Sequence, residues 1–227
     1  MIALFDMDGT LFAGDSQLRF ARWIIKRHGW RRLYLLLVLP CGLLRALHVL
    51  NTEQMKRLFL SYAWGMKREM LEKECQQFVD EEILPAMYPE LRAKLAMHQQ
   101  NGDTTVLCSA SPDWWTRLVG EKLGFTHTIG TPVELPARMP LFPKIDAPGN
   151  NKGANKNIRL REKLSIERAD VGYTDSRADL PMLSICAGAV LVNPDATLAK
   201  AHPQAEVLRP TKGIGKISFL LSCLLGI

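Results

Sequence analysis

Ile2-Ala3-Leu4-Phe5-Asp6-Met7-Asp8-Gly9-Thr10 runs from four apolar residues straight into acid, acid and glycine. A short unbroken apolar run of this kind reads as a parallel strand buried on both faces, with a polar loop at its carboxyl end. Residues 104–108 (TTVLC) repeat the pattern and lead into Ser109-Ala110-Ser111-Pro112; residues 169–173 and 188–192 are two further β-rich runs, each ending in a polar turn. Helical patterns fill the intervals at 113–123, 155–164 and 180–185, the first with Ser111 as expected N-cap and Pro112 at the first helical position. Strands alternating with helices from about residue 100 onward predict an α/β fold, a Rossmann-like three-layer parallel-sheet core. Residues 14–86 break that alternation, being helix-forming throughout. The expected organisation is therefore a core of residues 1–13 and 87–227 with an inserted all-helical cap at 14–86, and Pro85, Tyr88 and Pro89 marking the return.

The 227 residues allow one large domain or one domain with an insertion. Hydrophobic residues make up 47% and charged residues 23%, which excludes global disorder, and no internal repeat is present. Five cysteines, at 41, 75, 108, 186 and 223, include no CxxC pair, so neither a disulfide framework nor a zinc site is expected. The first residues lack a basic stretch and meet an acid at position 6, unlike a secretory signal. The expected location is the cytoplasm, or the cytoplasmic face of the inner membrane as a peripheral protein.

Five segments carry the chemistry: Asp6-Met7-Asp8-Gly9-Thr10, Ser109-Ala110-Ser111-Pro112, Gly153-Ala154-Asn155-Lys156, Asp175-Ser176 and Asp179-Leu180-Pro181. The first, second and fourth fall just past the carboxyl ends of predicted parallel strands, where α/β sheets bind ligands. Carboxylates gathered there without a counter-charge repel one another, so a hard divalent cation is implied; Mg²⁺ suits one or two carboxylates plus phosphate oxygens. A hydroxyl and a helix N-terminus near Ser109 supply donors to a phosphoryl group, and a lysine, Lys156 or Lys152, adds a point charge. The chemistry this fits is phosphoryl transfer through an aspartyl-phosphate. A calcium loop does not fit, because Gly9 is the fourth residue counted from Asp6 and the twelfth is Gln17.

The order DxDGT, strand-Ser, Lys, then Asp175 and Asp179 resembles the haloacid-dehalogenase superfamily of phosphatases, in the branch with a helical cap after the first motif that holds the phosphoserine phosphatases. Gly172-Tyr173-Thr174-Asp175-Ser176-Arg177-Ala178-Asp179-Leu180-Pro181 and Ser109-Ala110-Ser111-Pro112 are most similar to the phosphatidylglycerophosphatase C group. The resemblance implies Asp6 as nucleophile, Asp8 as general acid and then base, and Ser109 and Lys156 as phosphate-binding groups. It implies Mg²⁺ held by Asp6, the Asp8 carbonyl and Asp175, with Asp179 in or beside the shell. Two departures stand out. Thr174 takes the place of a glycine common in relatives. Asp15 takes the place of the glutamate with which phosphoserine phosphatases contact the amino acid, and shifts the expected substrate toward a lipid phosphate such as phosphatidylglycerophosphate, with phosphoserine or another small phosphate as the alternative. A 2-haloacid dehalogenase would lack the second acid, Asp8.

Residues 19–57 hold nine Lys or Arg against one acid, Glu53, and enclose the most apolar stretch of the chain, 33–50. With Trp23, Trp30 and Tyr34 at the join, this block reads either as a segment resting on an anionic membrane surface or as a helical subdomain with a basic solvated face. Arg27, Arg31 and Arg32 are the expected lipid-facing charges. Interrupted by Pro40, Gly42, Arg45 and His48, the stretch falls short of the ~20 apolar residues needed to span a bilayer. A single crossing would also separate Asp6 from Ser109, Lys156 and Asp175. The apolar tail 217–227 is expected to pack on the core or to serve as a second anchor. A non-enzymatic membrane-binding or nucleic-acid-binding module is the reading from charge alone; it leaves the acidic constellation unexplained, and no nucleic-acid partner is expected.

Overall fold

The computed structural model describes residues 1–34 and 52–210. Most of the 33–50 stretch and the whole 217–227 tail therefore lie outside the described residues. Six strands form one parallel sheet: β1 (Ile2–Phe5), β2 (Thr104–Pro112), β3 (His127–Thr131), β4 (Ala169–Thr174), β5 (Cys186–Val192) and β6 (Glu206–Leu208), in the order β3-β2-β1-β4-β5-β6. The parallel α/β architecture expected from the alternating pattern is the one found, with β3 and β6 added at the two edges.

Strand periodicity explains the two covered faces. Alternate residues point to opposite sides, so Leu4, Val106 and Cys108 join Leu160 and Met182 in one cluster, while Ala3, Phe5 and Leu107 join Leu91, Leu95 and Val119 in another. Around the sheet lie α1 (Ser16–Arg27), α2 (Thr52–Phe59), α3 (Arg68–Phe78), α4 (Pro89–Gln100), α5 (Asp113–Leu123), α6 (Ala154–Leu164), α7 (Leu180–Leu183) and α8 (Ala196–Ala201). Two local expectations are corrected. Helix α5 begins at Asp113 with Pro112 in the capping position and no side-chain cap, so Ser111 is not its N-cap. Helix α7 stops at Leu183, before the expected 185.

Every regular element among the described residues 16–86 is helical. The chain leaves the sheet and returns at one place: Phe12 bridges Met87, and the Tyr88 amide donates to the Leu11 carbonyl at 2.8 Å. Trp115 of α5 joins this segment to the core, its ring 4.9 Å from that of Phe20, with Phe78 also alongside. The basic block divides by orientation. Arg31, expected to face lipid, is buried and donates to the Tyr62 and Trp64 carbonyls. Lys26, Arg27 and Arg32 are exposed, as are Trp30 (60% exposed), Leu33 (64%) and Trp64 (52%). No helix among the described residues is long and apolar enough to cross a membrane.

Candidate active site

The strand order sets the site. β1 lies between β2 and β4, so the loops after these three adjacent strands open side by side at the carboxyl edge of the sheet. Phe5 pairs with Leu107 on one side and Tyr173 on the other, and the Asp6 amide donates to the Tyr173 carbonyl at 2.9 Å. Asp6 and Asp175 thus follow the ends of β1 and β4 directly; Ser109, expected past a strand end, lies inside β2, where the pairing with β3 is irregular between Cys108 and Pro112.

Lys156, on the first turn of α6, is 1% exposed and bridges two carboxylates, with Nζ 2.7 Å from Asp6 Oδ1 and 2.7 Å from Asp179 Oδ1. Lys152 is exposed, so geometry selects Lys156 of the two lysines. Burial alone would lower its pKa, but Asp6 and Asp179 hold the ammonium well above the usual lysine range. The other Asp179 oxygen accepts from Thr174 Oγ1 at 2.8 Å. Asp179 is thereby committed to Lys156 and Thr174.

Thr10 links the other acids. Its hydroxyl lies 3.4 Å from Asp6 Oδ2 and 3.2 Å from Asp175 Oδ1. Burial, then the charges of Asp6 and Asp179, push the Asp175 carboxyl up to about 7. Burial raises Asp6 to about 6 against the pull of Lys156. Gly9, directly after Asp8, has φ +81°, and a Cβ there would sit 2.1 Å from Asp175 Oδ2. Gly9→Ala is therefore expected to displace Asp175 and, since a misplacement near 1 Å can cost about 10²-fold, to lower kcat on that scale. Steady-state hydrolysis of an aryl phosphate, with circular dichroism as the control for folding, checks this.

Asp8 is held apart from that cluster. Its Oδ1 accepts from the Ser16 amide at 2.6 Å and its Oδ2 from Ser111 Oγ at 2.5 Å. Ser16 Oγ lies 2.9 Å from Ser111 Oγ and accepts from Trp115 Nε1 at 3.0 Å. Burial, followed by the charge of Asp15, pushes the Asp8 carboxyl up to about 7, against the lowering donors Ser111 and Ser16. Asp15 itself is exposed and caps α1, accepting from the Leu18 amide at 3.1 Å. Ser109 is fully buried; its Oγ accepts from the Ser111 amide at 3.0 Å, and its carbonyl accepts from Asn151 Nδ2 at 2.9 Å.

Thr10, Ser16, Ser111 and Asn151 are the positioning groups that motif reading did not single out as site residues. Thr10 lay inside a quoted motif. Ser111 was visible but assigned to a cap, and Ser16 and Asn151 carry no local signal.

The donor set fits a hard cation. Asp6 and Asp179 share the buried cation Lys156, and Thr10 joins Asp6 to Asp175, so three carboxylates gather around one ammonium. Among the described residues no three His, Cys, Asp or Glu side chains form a ready-made cage. Mg²⁺ needs none, since it takes one or two carboxylates and completes its shell with water and phosphate oxygens.

The family profile described as haloacid dehalogenase-like hydrolase matches residues 3–184, and the chain belongs to that family. It is an enzyme, a hydrolase of this α/β class. Among its relatives is phosphoserine phosphatase SerB1 of Mycobacterium tuberculosis, 29% identical over 203 residues that cover 86% of this chain and 66% of the relative. The chain thus spans about two thirds of that protein's length. Histidinol-phosphatase of Neisseria meningitidis is 27% identical over 223 residues, 88% of this chain and 93% of the relative. In fold, a probable phosphoserine phosphatase from Vibrio cholerae superposes with a TM-score of 0.65 at 18% identity, covering 100% of this chain and 66% of that one.

Proposed function

We propose that the chain is a Mg²⁺-dependent phosphomonoester hydrolase that works through an aspartyl-phosphate on Asp6, with residues 14–86 as a helical cap over the site. The observation that carries this reading is the pair of buried acids two residues apart with different partners. Asp6 is gripped by Lys156, while Asp8 is held by two hydrogen-bond donors at a pKa near neutrality.

In this mechanism an Asp6 oxygen attacks phosphorus and the bond to the ester oxygen breaks. Asp8 gives its proton to the departing oxygen, then takes one from the water that attacks phosphorus of the acyl-phosphate, freeing Asp6 and phosphate. Lys156 holds Asp6 in place and offers positive charge to the phosphoryl oxygens, and Ser109 contributes its hydroxyl from the end of β2. Asp179 and Thr174 fix Lys156. Asp6, the Asp8 carbonyl and Asp175 are the groups that would hold Mg²⁺, which when bound neutralises the transferring phosphoryl group.

The proposed substrate is a lipid phosphate such as phosphatidylglycerophosphate. Its support is the exposure of Trp30, Leu33 and Trp64 and of the charges Lys26 and Arg32 in one segment of the chain; Arg27 is engaged with Glu74. Aromatic and basic residues together suit a membrane interface, each Lys or Arg near an anionic surface contributing about 1 kcal/mol. A second reading, a small polar phosphate, is favoured by the names of the relatives and by the nearness of the Asp15 charge to Asp8.

Phosphate release from phosphatidylglycerophosphate in detergent micelles, phosphoserine and 4-nitrophenyl phosphate, with Mg²⁺ or with EDTA, tests both layers. Release is expected with Mg²⁺ and not with EDTA, and the lipid ester should have the highest kcat/KM. Activity that survives EDTA contradicts the metal. Phosphoserine turned over faster than the lipid removes the lipid reading and leaves the small-phosphate one.

A further inference from the structure

Lys56 on α2 has no part in the chemistry above, yet it is only 8% exposed. Its ammonium has no carboxylate partner among the described residues. It donates to the Ala110 carbonyl, to Asn150 Oδ1 at 2.6 Å and to Thr131 Oγ1 at 3.2 Å. These acceptors come from three separate parts of the core: the end of β2 between Ser109 and Ser111, the end of β3, and the loop that leads into α6 and Lys156.

The acceptors also need a donor. Ala110 O and Asn150 Oδ1 lie 2.7 and 2.9 Å from the Thr131 hydroxyl, which has one proton to give. The three N–H groups of an ammonium complete the set, and an apolar side chain would leave part of it unsatisfied. Next to this net, Asn151 accepts none of the load from Lys56 but fixes the same loop, its Nδ2 donating to the Ser109 and Ile129 carbonyls at 2.9 and 3.2 Å.

We propose that Lys56 is a positioning residue: its ammonium ties α2 to the irregular 109–111 stretch of β2, so that Ser109 and the Ser111 hydroxyl on Asp8 hold their working geometry only while the helical segment is seated on the core. Burying a cation among neutral acceptors is costly. Burial lowers Lys56 to about 7, with Asp8 and Asp15 pulling it back up and Lys152 and Arg159 pushing it further down. The inference rests on the phosphatase reading, through the roles of Asp8 and Ser109.

The test compares wild type, K56M, K56R, N150A and the K56M/N150A pair in full-length protein, using 4-nitrophenyl phosphate with Mg²⁺. K56M keeps the aliphatic stem and loses the donors. Its kcat is expected to fall about 10²-fold with KM within threefold, as for a group that positions others. K56R should recover at least tenfold of that loss, and the double variant should be no slower than K56M. Amide hydrogen exchange supplies a readout independent of turnover: K56M should speed exchange at both 52–59 and 109–112 while leaving β1 and β4 unchanged.

An unchanged kcat, a rise in KM alone, additive losses in the double variant, or unaltered exchange at 109–112 each overturns the proposal. If K56M does not fold, N150A decides it: slower turnover with faster exchange at 109–112 supports the tie, and neither change contradicts it. A wild type inactive on every phosphate ester sinks the phosphatase reading instead, and the exchange comparison still decides the role of Lys56.

Discussion

Asp6→Asn is expected to lower kcat by at least about 10⁴-fold, the scale on which removal of a covalent nucleophile acts. Asn is nearly the same shape, so β1 and its hydrogen bond to Tyr173 should survive. Lys156 keeps Asp179 at 2.7 Å, so the variant does not strand a buried ammonium without a carboxylate. The like-charge pressure of Asp6 on Asp175 and Asp8 also disappears. Loss of turnover should therefore come with native circular dichroism and unimpaired thermal stability. Substantial residual turnover, reproduced with freshly purified variant, contradicts a covalent role for Asp6.

Asp8→Asn should act differently, on both halves of the cycle. Asn preserves an acceptor for the Ser16 amide, and the Ser111 hydroxyl can turn to accept from its NH₂, so the loop should hold. What is lost is a buried carboxyl set near neutrality, able to give a proton and then take one. General acid–base losses of about 10²–10⁴-fold follow for alkyl phosphates. Nitrophenolate needs no proton to leave, so with 4-nitrophenyl phosphate the first half is spared and the second slows. Rapid mixing should show a burst of nitrophenolate followed by slow phosphate release. No burst, with alkyl and aryl esters slowed equally, contradicts the acid role.

Much of the site was legible because it depends on strand ends. An apolar run that stops at an acid marks a strand terminus locally, and a parallel sheet gathers such termini on one edge. Asp6, Ser109 and Asp175 therefore needed only the fold class to be brought together, whereas the choice of Lys156 over Lys152 rests on its burial between Asp6 and Asp179. The groups that escaped are those whose partners are decided over long range. Ser111 before proline has the local chemistry of a helix cap, but Asp8, 103 residues away, takes its hydroxyl and the helix starts later.

Lys56 and Arg31 illustrate the same limit. In the sequence they are two of nine basic residues in a stretch with one acid, and composition places all nine on a solvated or lipid-facing surface. The fold turns both inward onto carbonyl oxygens that no periodicity announces. Arg32 is exposed as expected, while Arg27, also exposed, pairs with Glu74 and lies over Trp23. Strands β3 and β6 were missed for a simpler reason: each is a short edge strand with little continuous apolar character.

The central claim is a phosphoryl group carried on Asp6. Acid-quenching the enzyme during turnover of a phosphate ester with Mg²⁺, in the Asp8→Asn background where the second half is slow, should trap the acyl-phosphate. Borohydride converts an aspartyl acyl-phosphate to homoserine, which peptide mass spectrometry can place. The account predicts homoserine at position 6, dependent on substrate and absent from Asp6→Asn. Homoserine at another residue, or none at all while phosphate is still being released, would contradict it.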